Sequence, residues 1–365
     1  MFRIIHKDGN SRVGKLRTLH GTVETPVFLP VATKATAKHL SPKELTEAGS
    51  HAVICNSFLL SLRPGISTIT KSGGLHKFMG WENAIFTDSG GFQLLSEPFF
   101  QKTNDKGGYI KSPFDGKTHF LSPEMAVEIQ QSIGSDVMMC LDEMPLYTQG
   151  RLQVASATRR THGWAKRCLA ARTSAKQLLF GIVQGGVYKD LRKKSTQFIA
   201  SLDFDGISIG GLAVGEPKKK MHEMLKVSLP LLPRHKPRYL MGVGSPPELL
   251  ESISMGVDIF DSAFPTQNAR HGTLFTFHGN MKITNLQYRE DAKPVEQGCP
   301  CYLCTNFSRA YLHHLFRMNE PLGLRLASLH NIFFLNRLLR ETKAAIKESG
   351  LKKFKKRFKL LLRKQ

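Results

Sequence analysis

Short apolar runs recur along the chain at residues 27–32, 52–55, 84–87, 137–141, 178–183, 206–209, 239–243 and 257–260. Runs of this length bounded by turn residues fit buried strands. Helical periodicity fills most of the intervals between them. Three of those intervals open with Ser41-Pro42, Ser122-Pro123 and Ser245-Pro246, each an N-cap residue followed by the residue favoured at the first helical position. Eight buried strands alternating with helices predict an α/β fold, a parallel (β/α)8 barrel. A doubly wound open sheet is the other arrangement compatible with the count, because counting strands does not show closure. Residues 2–28 alternate apolar and polar around Asp8-Gly9-Asn10 and predict an antiparallel hairpin element ahead of the barrel.

A barrel makes a positional claim. Its chemistry belongs just past the strand ends. Those positions hold Asn56-Ser57, Asp88-Ser89-Gly90-Gly91-Phe92-Gln93, Asp142-Glu143, Gln184-Gly185-Gly186, Gly210-Gly211-Leu212, Gly242-Val243-Gly244 and Asp261. A lone Asp such as Asp261 usually does no more than satisfy backbone N–H groups in a turn. Several acids and a Gln on one rim are harder to explain that way. Residues 94–121 exceed a simple strand-to-helix loop and carry Gly107-Gly108 and Phe114-Asp115-Gly116, so they predict an insertion with a hairpin over the site. The expected organisation is a barrel over 1–279, a metal-binding subdomain over 280–331, and a C-terminal helix and basic tail over 332–365. The helical pattern becomes clear from about Ser328.

Charge and cysteines extend this reading. The 365 residues carry 52 Lys+Arg against 29 Asp+Glu, a formal net charge of +23, which implies a polyanionic partner, most simply nucleic acid. Part of the excess lies in residues 351–365, where Phe354, Phe358 and Leu360 to Leu362 interrupt the lysines. That tail predicts an amphipathic helix, either lying on RNA phosphates or, the reading the tail by itself favours, packing its apolar stripe on the body. No apolar run reaches the roughly 20 residues of a membrane span, and the first residues have no apolar core of a signal peptide. A reducing cytoplasm is the expected location. Cys299, Cys301 and Cys304 fall within six residues, a spacing suited to tetrahedral zinc in a structural site. The fourth ligand is a histidine downstream, and spacing does not choose among His313, His314 and His330.

The motifs FTDSGGFQ at 86–93, LDE at 141–143, FGIVQGG at 180–186, GGLAVGEP at 210–217, RYLMGVG at 238–244, DIFDSAFPTQNARHG at 258–272 and CPCYLC at 299–304 resemble, in the same order, those of the tRNA-guanine transglycosylases. The likeness runs from about residue 3 to residue 345 and favours the bacterial form, since archaeal members carry extra C-terminal domains. It implies a barrel with a zinc subdomain, a homodimer, and exchange of guanine at the anticodon wobble position for a 7-deazaguanine. The tRNAs concerned are those for Asp, Asn, His and Tyr.

By the same resemblance Asp261 is the nucleophile and Asp88 the proton donor and acceptor. The base-binding set is Asp88, Ser89, Gly90, Gly91, Phe92, Asp142, Gln184, Gly211, Leu212 and Glu216. His330 is the fourth zinc ligand, on the first turn of its helix. The anticodon contacts are Gly242, Val243, Gly244, Ser245, Pro246, Pro247 and Glu248, with Thr266, Gln267, Asn268, Ala269 and Arg270. Gln267 and Ser245 stand where the family has Arg and Lys. Met144 and Ser262 replace cysteines, which leaves open whether the base is the aminomethyl precursor preQ1 or queuine. A non-catalytic tRNA-binding accessory subunit is the second expectation; such a chain is expected to lose its catalytic acids. A barrel enzyme for a small anionic metabolite is the third.

Overall fold

A computed structural model describes residues 2–91 and 100–363. Its centre is an eight-stranded parallel sheet formed by Val27–Pro30, Ala52–Asn56, Ala84–Asp88, Val137–Met139, Leu178–Val183, Gly206–Ile209, Arg238–Leu240 and Ile259–Ser262. Ile259–Ser262 pairs back onto Val27–Pro30, and a parallel bridge from Val31 to Ile54 joins the first and second strands. The Ala32 N–H donates to the Ile54 carbonyl at 2.7 Å in that seam. The sheet is therefore a barrel, not an open layer.

Every strand residue from Leu178 to Val183 is buried, as a strand covered by helices outside and side chains inside must be. Phe28, Phe86, Phe180, Tyr239 and Phe260 are fully buried. Phe86 meets Phe180 and Tyr239 edge-on, each at 6.3 Å between ring centres. These rings make the lumen a packed core, and polar groups are left to collect at its mouth.

The N-terminal element is a three-stranded antiparallel sheet, Phe2–Asp8, Ser11–Thr18 and Gly21–Thr25. It is fastened to the lower end of the barrel by the buried Arg12, whose Nε donates to Asp258 Oδ1 at 2.7 Å. The insertion is also three-stranded, Phe100–Asn104, Gly107–Lys111 and Thr118–Leu121, one strand more than a hairpin.

Ser41 and Ser122 cap their helices through the side chain, Ser41 in a reciprocal box with Glu44. Ser245 occupies the cap position but donates to Glu248 Oε2 at 2.6 Å instead. The long C-terminal helix spans Pro321–Lys347, several residues ahead of the start expected near Ser328. Pro321 at its first turn sets that start. Leu351–Arg363 is helical, with Leu351 and Phe358 buried on the body and Lys352, Lys353, Lys356 and Arg357 exposed. Among the described residues no helix is long and apolar enough to cross a membrane.

Candidate active site

The second and third strands end side by side, with Asn56 in register with Asp88. Asn56 Nδ2 donates to Asp88 Oδ2 at 3.1 Å, and the Gly90 N–H donates to Oδ1 at 3.2 Å. Ser57 Oγ donates to the Asp88 carbonyl at 2.6 Å, which holds the strand end in place. Gly90 has a φ of +93°, and a Cβ there would sit 2.6 Å from Phe58 Cβ, so only glycine permits this turn. Phe92 lies outside the described residues.

Asp261 ends the eighth strand. Its Oδ1 accepts from the Tyr239 hydroxyl at 2.6 Å and from the Gly242 N–H at 3.0 Å. Among the described residues its Oδ2 has no hydrogen-bond partner and is free for chemistry. Burial pushes the Asp88 carboxyl up to about 7, with the charges of Asp261 and Asp142 adding to the effect against the bonds from Gly90 and Asn56. Asp261 is also raised by burial, and the Tyr239 and Gly242 donors oppose the rise. Burial lifts Asp142 to about 6 against the Gln184 bond. All three acids are held above the ordinary carboxylate range, and because Asp88 feels the charges of the other two their titrations are coupled.

The strand ends beside them supply directional groups. Gln184 Nε2 donates to Asp142 Oδ2 at 2.5 Å, while the buried Gln184 Oε1 has no partner among the described residues. A Cβ at Gly91 would lie 2.5 Å from Asp142 Oδ1, and one at Gly211 would lie 2.3 Å from Gln184 Oε1. Glycine is therefore required where backbone crowds these two side chains. Ser89 is buried beside them. Glu216 receives the Ala213 N–H at 2.6 Å and the Val214 N–H at 3.0 Å. Because a trans peptide directs its two ends oppositely, the Leu212 carbonyl points away from Glu216.

A cleft of about 230 Å3 runs from Ala213 and Glu216 past Gly242, Val243, Gly244 and Ser245 to Ser262 and Phe264. Gly242, Pro247 and Gln267 are exposed, and Ser245, Glu248, Asn268 and Arg270 are half-buried. Val243, Gly244, Pro246, Thr266 and Ala269 are buried and shape these loops from within. Glu248 pairs with Lys218.

Two residues of this region escape the sequence reading. Tyr239 sits inside an apolar strand, and its hydroxyl is the only hint that the run ends on a polar partner. Arg192 sits among lysines on the helix Lys189–Ala200, where the residue pattern reads as solvated surface. It is fully buried and donates to the carbonyls of Gly186 and Gly210. Burial lowers its pKa to about 9.

Away from the rim, the ligand atoms of Cys299, Cys301, Cys304 and His330 all lie within 4.8 Å of one another, and all four residues are buried. His330 Nδ1 is 3.3 Å from Cys301 Sγ and 3.5 Å from Cys304 Sγ, while its Nε2 bonds the Phe275 carbonyl at 2.8 Å. That second bond orients the ring as metal sites require. His313 is instead bonded to the Ile283 carbonyl. The donor set can hold a metal ion. His330 lies well inside the helix Pro321–Lys347, not on its first turn, because the helix begins earlier than expected.

A closed (β/α)8 barrel with three buried carboxyls raised at its mouth, backbone donors beside them and a Cys3His cluster able to hold a metal ion has the architecture of a barrel enzyme. The family model for queuine tRNA-ribosyltransferase matches residues 8–363. The chain is 46% identical over 359 residues to the queuine tRNA-ribosyltransferase of Halothermothrix orenii, covering 98% of this chain and 96% of that protein. It is 48% identical to that of Thermoanaerobacter pseudethanolicus over 98% of this chain and 96% of the relative. For the Bacillus licheniformis protein the values are 48% identity, 96% and 93%. The chain belongs to the queuine tRNA-ribosyltransferase family.

Proposed function

We infer that the protein is a tRNA-guanine transglycosylase. It exchanges guanine at the wobble position of G-U-N anticodons for a 7-deazaguanine, in queuosine biosynthesis. The observation that carries this is the pairing of Asp261, with one free carboxylate oxygen, and Asp88, a carboxyl raised to about 7, at the mouth of one barrel.

Asp261 Oδ2 attacks ribose C1′ and the C1′–N9 bond breaks. Asp88 gives its proton to the leaving guanine. The incoming base then returns a proton to Asp88, and its N9 displaces Asp261 from C1′. Electron pairs and protons balance over the cycle, and the strand stays intact because the ribose remains covalently held. A carboxylate suits an oxocarbenium-like centre both as nucleophile and as counter-charge.

The guanine edge offers N1–H and an amino group to Asp142. Its six-oxo group accepts from the Gln184 amide, which has a second hydrogen to give, and from the Gly211 N–H. An amine carried at position 7 goes to the Leu212 carbonyl, whose peptide is held by Glu216. Ser89, Gly90 and Gly91 wall the pocket. The 242–248 and 266–270 loops take the anticodon, and phosphate contacts from the basic surface make binding salt-dependent. Zinc suits the Cys3His donors and would hold the 280–331 region structurally. A homodimer in a reducing cytoplasm completes the reading. An accessory, non-catalytic role is disfavoured by the presence of both acids.

The test is exchange of labelled guanine into a tRNA with a G-U-N anticodon, with preQ1 and queuine as competitors. Incorporation with a trapped tRNA adduct is expected, and the adduct is lost in Asp261→Asn. Absence of incorporation while tRNA still binds would overturn the enzyme reading.

A further inference from the structure

The loops assigned to the base are held from below by a side chain that cannot itself reach a base. Arg192 is fully buried on the first turn of the helix Lys189–Ala200 and points back to the strand ends. Its partners are carbonyls. Nη1 donates to Gly210 at 2.8 Å and to Val183 at 3.3 Å, and Nη2 donates to Gly186 at 2.6 Å and to Gly211 at 3.4 Å. Nε adds a second bond to Gly186 at 3.2 Å. One guanidinium therefore ties the loop carrying Gln184 to the loop carrying Gly211.

Peptide geometry gives this tie a direction. The 210–211 peptide is trans, so its carbonyl and its N–H point oppositely. With the Gly210 carbonyl drawn down onto Arg192, the Gly211 N–H is turned away from it, toward the mouth. Among the described residues that N–H has no acceptor. Gly211 has a φ of +64°, a conformation the chain holds only with help or with glycine. A planar five-donor fork suits several carbonyls at fixed angles; a lysine ammonium, with three donors on a flexible stem, does not.

We propose that Arg192 is a positioning residue: it aims the Gly211 N–H, and with it the Gln184 loop, at the six-oxo group of the base, and so sets base affinity without touching substrate. This rests on the transglycosylase reading above. The test compares wild type with Arg192→Met and Arg192→Lys. The readouts are KM for guanine, KM for tRNA, kcat, and binding of 2-aminopurine, which lacks the six-oxo group. In Arg192→Met the guanine KM rises about ten- to a hundredfold, the range for losing an aimed hydrogen bond. The tRNA KM and 2-aminopurine binding stay within about twofold, and Arg192→Lys is intermediate. Should the Met variant fail to fold, the Lys variant carries the same comparison. Equal weakening of guanine and 2-aminopurine, or an unchanged guanine KM, would overturn the proposal. A wild-type protein that takes up no guanine would overturn the underlying reading instead, and the two failures are distinct.

Discussion

Replacing Asp88 by Asn should stabilise this protein above neutral pH while abolishing its turnover. The folded carboxyl is raised to about 7 from an ordinary 3.8, chiefly by burial and then by the charges of Asp261 and Asp142. Between those two values the folded state keeps a proton that the unfolded state has released. Stability therefore falls as pH rises through this window, and the loss is complete above about pH 7. The gap corresponds to about 4 kcal/mol at 1.36 kcal/mol per pH unit, an upper bound because the three acids titrate together. Asn is neutral like the protonated carboxyl and removes the repulsion, while its single oxygen keeps one of the two donors, Asn56 or Gly90. Urea unfolding at pH 4, 6 and 8 is the assay. Wild type and Asp88→Asn should agree within about 1 kcal/mol at pH 4, and the variant should lead by about 2–4 kcal/mol at pH 8. Parallel curves across the range would refute the idea that this site stores repulsion among buried acids.

Tyr239→Phe removes the hydroxyl donor that opposes the raised pKa of Asp261. The acid limb of kcat/KM should move to higher pH, and at pH below it the rate should fall about tenfold or more, the cost of a hydrogen bond to a charged group; an unmoved limb in a pH profile would contradict this. Gly211→Ala places a Cβ 2.3 Å from Gln184 Oε1 at a positive φ, so guanine KM should rise at least about tenfold while tRNA affinity holds. Comparing the two binding constants checks it. Metal removal by a strong chelator, or Cys301→Ser, should lower the thermal midpoint, and metal analysis of the purified protein should return about one zinc per chain. Full thermal stability in a metal-free protein would exclude a structural role.

Buried parallel strands make the barrel legible in the sequence, because such strands leave continuous apolar runs whose ends mark the candidate rim positions. Asp88, Asp142, Gln184, Gly211 and Asp261 were legible for that reason. Each is a polar residue or a glycine placed where an apolar run stops. The cysteine spacing was likewise local information. Closure was not, since the Val31–Ile54 seam joins residues that look the same in an open sheet. His330 could be separated from His313 and His314 by family likeness but not by spacing; its ring lies within 3.5 Å of two thiols only once the long helix is packed. Tyr239 and Arg192 remained hidden because hydrogen bonds to a side chain at the end of the neighbouring strand, or to the carbonyls of two neighbouring loops, leave no periodic trace. Local pattern determined which elements form and where polar groups interrupt them. Tertiary structure alone decided which of those groups face one another, because burial and charge act through space and set the titration of each acid only after the strands have closed.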